Sequence, residues 1–216
     1  MSDVSRETVA ESSARERWPA QFDLLNRYHQ WLCVAGVERG LLGPREIERM
    51  WDRHINNSAV LEELIPQGVS VIDVGSGAGL PGIPLAIVRP DLKITLLEPL
   101  ARRVDYLNEV IADLGLSDRV AVVRGRAEDN VAKNLSADVV TGRAVAALSK
   151  LIPWCWPLVN FGGQILMIKG QSALDEIEEA SSILRRKKLQ AKVIQAGSPV
   201  VDPPITVIQI VKIPIL

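Results

Sequence analysis

The feature that most restricts this chain is Val71-Ile72-Asp73-Val74-Gly75-Ser76-Gly77-Ala78-Gly79-Leu80-Pro81-Gly82. An apolar run enters three glycines at alternate positions and then an apolar segment beginning Ile83-Pro84-Leu85. Glycine reaches positive φ without steric cost and lets a ligand approach the backbone closely. A buried strand turned this sharply into a helix belongs to an α/β unit, and the helix start directs free N–H groups at an anionic ligand. A glycine turn can also merely tighten a corner. Three glycines accompanied by two carboxylates, Asp73 and Glu98, favour a ligand site.

The character of the chain changes near Pro66. Before it, Phe22, Leu25, Tyr28, His29 and Leu32 form one helical stripe. A second runs from Pro44 through Ile47, Met50, Trp51, His54 and Ile55, with Pro44 suited to a first helical position. After Pro66, short apolar runs cover Val69–Val74, Leu92–Leu97, Val120–Val123, Ala137–Thr141, Gln164–Ile168 and Ile205–Ile213. The first five lack polar alternation, as strands buried on both faces do. Between runs, Val104, Leu107, Ile111 and Leu114 mark a helix ending at Gly115. Leu174, Ile177, Ser181 and Leu184 mark another, opened by Ser172 with Asp175 as a capping box. This alternation predicts a mostly parallel α/β sheet of Rossmann-like type. Pro199, Pro203 and Pro204, standing where a helix would otherwise connect strands, predict an antiparallel C-terminal hairpin. The expected organisation is one domain, with residues 1–65 a helical extension and residues 66–216 the core.

Composition excludes several alternatives. With 47% hydrophobic and 24% charged residues, the chain is neither disordered nor fibrous. Its 25 basic and 26 acidic residues exclude a nucleic-acid binder that works by bulk charge. The imbalance is regional: residues 1–63 hold 8 bases and 11 acids, residues 64–216 hold 17 and 15. A local basic cleft therefore stays open. Cys33 and Cys155 read as isolated thiols of a reducing compartment, not a disulfide framework. Two dispersed histidines and two cysteines offer no metal site. Residues 1–17 lack a signal-type apolar core, and the uncharged stretch 151–168 is broken by Pro153, Pro157, Gly162 and Gly163. A cytoplasmic protein without membrane contact is expected.

Glu98, at the end of the second strand, is placed to accept hydrogen bonds from ribose hydroxyls, which suggests an adenosine-type cofactor. Gly77 to Gly82 literally matches the dinucleotide fingerprint G-x-G-x-x-G, but that match alone is weak. Asp73 would repel a pyrophosphate, whereas it would favour the ammonium and sulfonium of S-adenosylmethionine. S-adenosylmethionine is the better match.

The chain resembles the bacterial 16S ribosomal RNA guanine-N7 methyltransferases, the small-subunit rRNA methyltransferase G family also called glucose-inhibited division protein B. The most specific match is Gly77-Ala78-Gly79-Leu80-Pro81-Gly82-Ile83-Pro84-Leu85. Arg53-His54-Ile55 with Asn57-Ser58, Leu97-Glu98 followed by Arg102-Arg103, Arg126-Ala127-Glu128, Gly142 to Leu148 and Ile168-Lys169-Gly170 add to it in order. The resemblance implies methyl transfer from S-adenosylmethionine to N7 of one guanine near the decoding site, within the 30S subunit or an assembly intermediate. It implies that Gly75 and Leu80 line the cofactor, that Ala127 and Glu128 border the adenine, and that Arg143 reaches into the cleft. Lys169 and Arg126 resemble the family's basic cleft residues. Where the family carries a basic residue before its last strand, this chain has Asp202-Pro203-Pro204.

Guanine N7 offers an in-plane lone pair and loses no proton on methylation, so no general base is needed. The work is alignment for in-line displacement. Arg143 is the candidate for positioning, by a bond to guanine O6 or to the cofactor. His54 is either an RNA contact or a packed histidine; His29 reads as structural. Arg102 and Arg103 open a helix, where cations are unfavourable, which favours a ligand or RNA role. Arg185 to Lys188 close a helix and suit its dipole. Trp154, Cys155 and Trp156 read as core and interface packing. The rival functions are a methyltransferase on another substrate, a nicotinamide dehydrogenase, and a non-catalytic assembly factor. Arg143→Ala is expected to fold normally and lose most turnover on 30S subunits; wild-type turnover would refute the assignment.

Overall fold

The computed structural model describes residues 5–143 and 146–213; Ala144 and Val145 of the motif beginning at Gly142 lie outside them. Seven strands form one sheet in the order β3-β2-β1-β4-β5-β7-β6. They are β1 (Ser70–Val74), β2 (Lys93–Glu98), β3 (Val120–Arg124), β4 (Ala137–Arg143), β5 (Val159–Lys169), β6 (Leu189–Ala196) and β7 (Ile205–Lys212). The first five run parallel and β7 lies antiparallel between β5 and β6. Successive side chains of a strand point to opposite faces. Accordingly Val71, Ile94, Val139 and Leu166 enter one apolar cluster, while Ile72, Leu97, Val140 and Ile165 enter the other.

The first cluster is covered by α4 (Gly82–Val88), α5 (Ala101–Asp113) and the N-terminal elements α1 (Arg6–Arg17) and α2 (Phe22–Trp31). The second is covered by α6 (Leu148–Cys155), α7 (Ala173–Glu179) and α8 (Ser181–Lys187). Both apolar faces of the sheet are therefore buried, which accounts for its continuous apolar runs. Among the described residues no helix is long and apolar enough to cross a membrane.

Three local expectations need correction. β6 is absent from the apolar runs because Gln190 and Gln195 are exposed along it, a half-buried pattern; it is nevertheless the hairpin partner of β7 across the proline-rich turn. The segment from Leu174 to Leu184 is not one helix: it breaks at Ala180, Leu174 is 70% exposed, and Ser172 makes no side-chain cap. The stripe from Pro44 is a 3₁₀ turn (Pro44–Arg49), then a π-helical turn (Met50–Ile55), then α3 (Asn56–Ala59). That change of winding leaves Ile47 exposed while Met50, Trp51, His54 and Ile55 stay buried. Glu7 of α1 holds the π turn in place by accepting the N–H groups of Trp51 (2.6 Å) and Asp52 (3.1 Å).

The glycine corner is packed tightly. Gly82 sits against β1, and a Cβ there would collide with Leu96 and stand 2.8 Å from Asp73 Oδ2. Gly82→Ala should destabilise the chain by about 2 kcal/mol, the order expected for an overpacked core. Urea unfolding checks this; an unchanged midpoint would mean the helix can retreat without cost.

Candidate active site

Most of the residues singled out by motif lie at the carboxyl ends of the parallel strands, above the point where β1 is flanked by β2 on one side and β4 on the other; Arg53, His54, Asn57 and Ser58 come instead from the N-terminal layer. Crossovers leave in opposite directions there, opening a crevice. The glycine loop follows β1, Glu98 ends β2, Arg143 ends β4 and Lys169 ends β5.

The loop needs its glycines: Gly75, Gly77 and Gly79 take φ of +72°, +60° and +103°. Its free backbone groups are largely satisfied internally. Gly75 N–H donates to Leu97 O (2.8 Å), Gly79 N–H to Ser76 O (2.7 Å), and the Tyr28 hydroxyl from α2 donates to Ala78 O (2.9 Å). The expected open N–H at the helix start is occupied, since Gly82 N–H donates to Asp73 Oδ2 at 3.0 Å. Asp73 is fully buried, and its Oδ1 has no hydrogen-bond partner among the described residues. Burial pushes the Asp73 carboxyl up to about 7, against the pull of the Gly82 and Ser76 bonds.

Glu98 does not stand free for a ribose. It is 1% exposed, with Oε2 accepting Gly77 N–H (2.9 Å) and Oε1 accepting Leu100 N–H (3.0 Å). Each carboxylate oxygen keeps one further lone pair for a ligand. Arg103, whose Nη1 lies 3.8 Å from Glu98 Oε2, covers this corner, while its neighbour Arg102 is exposed. Leu80 is buried in the core on the N-terminal side, 8% exposed, and lines none of the cavities described here.

Arg126, Ala127 and Glu128 line a 220 Å³ cavity together with Gly75, Pro99 and Trp154. Trp154, half-buried in the last turn of α6, packs against the second apolar cluster, as expected, and also lines this cavity.

Beyond the loop lies a polar cavity of 620 Å³ lined by Arg53, Asn57, Arg143, Lys169 and Glu176. Lys169 is not a free cation: its Nζ lies 2.7 Å from both Ala146 O and Glu176 Oε2. Glu176 also accepts Leu148 N–H at 3.0 Å. His54 is 7% exposed, in keeping with the packed-histidine reading. Its Nε2 is 2.7 Å from Glu46 Oε2, and its Nδ1 is 3.1 Å from Arg143 Nη2. Arg143 Nη1 is buried without a partner among the described residues. Burial, then the nearby Arg53 charge, presses the Arg143 pKa down, though a guanidinium stays charged. Arg53 and Asn57, four residues apart, were quoted only as motif members. A second cavity of 240 Å³ shares both and adds Arg6, Arg49 and the Asp202-Pro203-Pro204 turn.

The sequence model of the family described as rRNA small subunit methyltransferase G matches residues 21–200. The Ribosomal RNA small subunit methyltransferase G of Thermobifida fusca is 51% identical over 96% of this chain and 87% of that protein. That of Mycobacterium marinum is 51% identical over 87% of this chain and 83% of that protein. Among solved structures, the precorrin-6y C5,15-methyltransferase of Geobacter metallireducens shares the fold with a TM-score of 0.55 at 15% identity, over 81% of this chain and 91% of that one. The chain therefore belongs to the rRNA small subunit methyltransferase G family and is an S-adenosylmethionine-dependent methyltransferase of small-subunit ribosomal RNA.

Proposed function

We propose that this chain transfers a methyl group to N7 of a guanine in 16S ribosomal RNA, within the 30S subunit or an assembly intermediate, in the cytoplasm. The observation that carries the reading is the acid–base state of the 620 Å³ cavity. Its one lining carboxylate, Glu176, is held by Lys169 and by Leu148 N–H. No lining residue among those described stands as a free base. A reaction at an existing lone pair suits such a cleft; a reaction that removes a proton does not.

S-adenosylmethionine, when bound, supplies a methyl group on a sulfonium. The residues present fit it. Asp73 Oδ1 has no hydrogen-bond partner among the described residues, and an ammonium could donate to it. The remaining lone pairs of Glu98 suit ribose hydroxyls, and the cavity between Gly75, Ala127 and Trp154 suits an adenine. Arg143 then faces the cleft from the end of β4 and orients the base by donating to guanine O6, leaving N7 free. To arrive there the guanine must leave its stack.

RNA phosphates would be met by Arg53, Arg49 and Arg6 at the adjoining cavity, all three exposed. These arginines take the place of the basic residue that Asp202-Pro203-Pro204 lacks. Residues 1–65 and 66–216 then act as one unit, because both line the cleft.

The decisive experiment incubates the protein with labelled S-adenosylmethionine and 30S subunits lacking the modification. Label should map to N7 of a single 16S guanine; label on another atom, or on ribosomal protein alone, overturns the reading. Cofactor binding supplies a second check. An ammonium beside Asp73 favours its charged form, so binding releases a proton wherever the unliganded carboxyl is protonated. Affinity for S-adenosylmethionine should rise roughly tenfold between about pH 5.5 and 7 and then level off. Asp73→Asn should bind weakly and lose that slope in calorimetric titration.

A further inference from the structure

We propose that His54 is a positioning residue: held as its Nε2–H tautomer by Glu46, it fixes the guanidinium of Arg143 at the cleft through its Nδ1 lone pair. The inference rests on the methyl-transfer reading above and adds a residue that acts through Arg143.

The chemistry of the three groups dictates the arrangement. A guanidinium carries only donors, so at 3.1 Å from Arg143 Nη2 the Nδ1 of His54 must be unprotonated. The proton of the neutral ring then sits on Nε2 and is donated to Glu46 Oε2 at 2.7 Å. Both ring nitrogens are engaged, which leaves His54 no lone pair for a substrate proton. The three side chains come from separate elements: the 3₁₀ turn holds Glu46, the π turn holds His54 and β4 ends in Arg143. The backbone of the π turn is itself fixed, since Ser58 Oγ donates to His54 O at 2.7 Å. Arg143 is thus held by one end of its fork, and the other nitrogen, Nη1, has no partner among the described residues.

The charged and titratable groups around the ring are Glu46, Arg143 and, from its own turn, Arg53; Tyr28 and Asp73 lie beyond Arg143 and Tyr28. Burial first, and the Arg143 charge second, lower the His54 pKa, so the neutral ring is the ordinary state at neutral pH. A group whose native pKa is depressed in this way loses its contribution as pH falls through the native value. Placing a proton on Nδ1 sets an N–H against the guanidinium, and the Arg143 anchor is lost.

The test compares His54→Ala with His54→Asn, whose Oδ1 can stand near the Nδ1 position and accept the same bond. Turnover on 30S subunits, KM, S-adenosylmethionine affinity and thermal midpoint are measured together. His54→Ala should lower kcat by about 100-fold, the scale of a misplaced catalytic group, with little change in cofactor affinity. His54→Asn should recover most of that loss and should lack the acidic limb of the wild-type kcat–pH profile. Side-chain ¹⁵N NMR gives a readout independent of turnover: at pH 7.5 Nε2 should be protonated and Nδ1 bare. Arg143→Ala should raise the His54 titration midpoint. A doubly protonated ring at pH 7.5, or a His54→Asn as inactive as His54→Ala at equal thermal midpoint, overturns the proposal. Should His54→Ala not fold, the NMR result and the pH profile of His54→Asn decide alone. Should the wild type fail to methylate 30S subunits, the methyl-transfer reading falls, while the tautomer and the Arg143→Ala shift still report on the linkage itself.

Discussion

The parallel pairing of β1 with β4 is the contact on which the rest of the molecule depends. It sets Val71 beside Val139, Ile72 beside Val140 and Asp73 beside Thr141, while β1 takes β2 as its other neighbour. One crossover after β1 leads to one half of the sheet, and the return to β4 opens the other half. The loops above these strands must then diverge. Everything chemical hangs on that divergence. The glycine loop forms one wall, Arg143 rises at the division, and Asp73 lies beneath, tied to the start of α4 through Gly82.

Much of this was legible in the sequence where burial is complete, and little where a partner lies far away along the chain. The five parallel strands wrote themselves as apolar runs, though β3, at the sheet edge, buries only Val120 fully. β6 did not, because Gln190 and Gln195 break its pattern. The N-terminal stripes identified which side chains turn inward, yet a 3.6-residue period cannot separate 3₁₀ from π winding, and that difference decides that Ile47 faces solvent. The cleft residues were legible as positions and not as chemical states. Glu98 and Lys169 read as groups open to a ligand, and His54 as either an RNA contact or a packed histidine. Each is bound: to Gly77 and Leu100 N–H, to Glu176, and to an arginine 89 residues away. Motif spacing fixes where a side chain emerges; only the fold brings up the group that satisfies it.

Charge shows the same division. Residues 1–63 carry more acids than bases, which would repel RNA if all of them faced outward. Several do not. Glu7 accepts two N–H groups of the π turn, Glu46 holds His54, Glu62 accepts Trp18 Nε1–H and Glu63 accepts Gly197 N–H. These carboxylates fasten the helical layer to itself and to the sheet. Arg6, Arg49 and Arg53, by contrast, are exposed at the mouth of the cleft. Formal charge counts both kinds equally, so a net negative layer can still present a basic rim.

That placement also explains how the layer and the sheet depend on each other. The apolar residues of α1 and α2 share a single cluster with β1, β2 and β4, so the layer cannot be detached without exposing Phe22, Leu25 and Trp51. The 620 Å³ cavity takes Arg53 and Asn57 from that layer and Arg143 from the sheet. The adjoining cavity takes Arg6, Arg49 and Arg53 from the layer and meets Asp202 and two prolines from the turn before β7. Arg53 and His54 share one turn, so a change in the winding of residues 50–55 would move a wall of this cavity and the Arg143 anchor together.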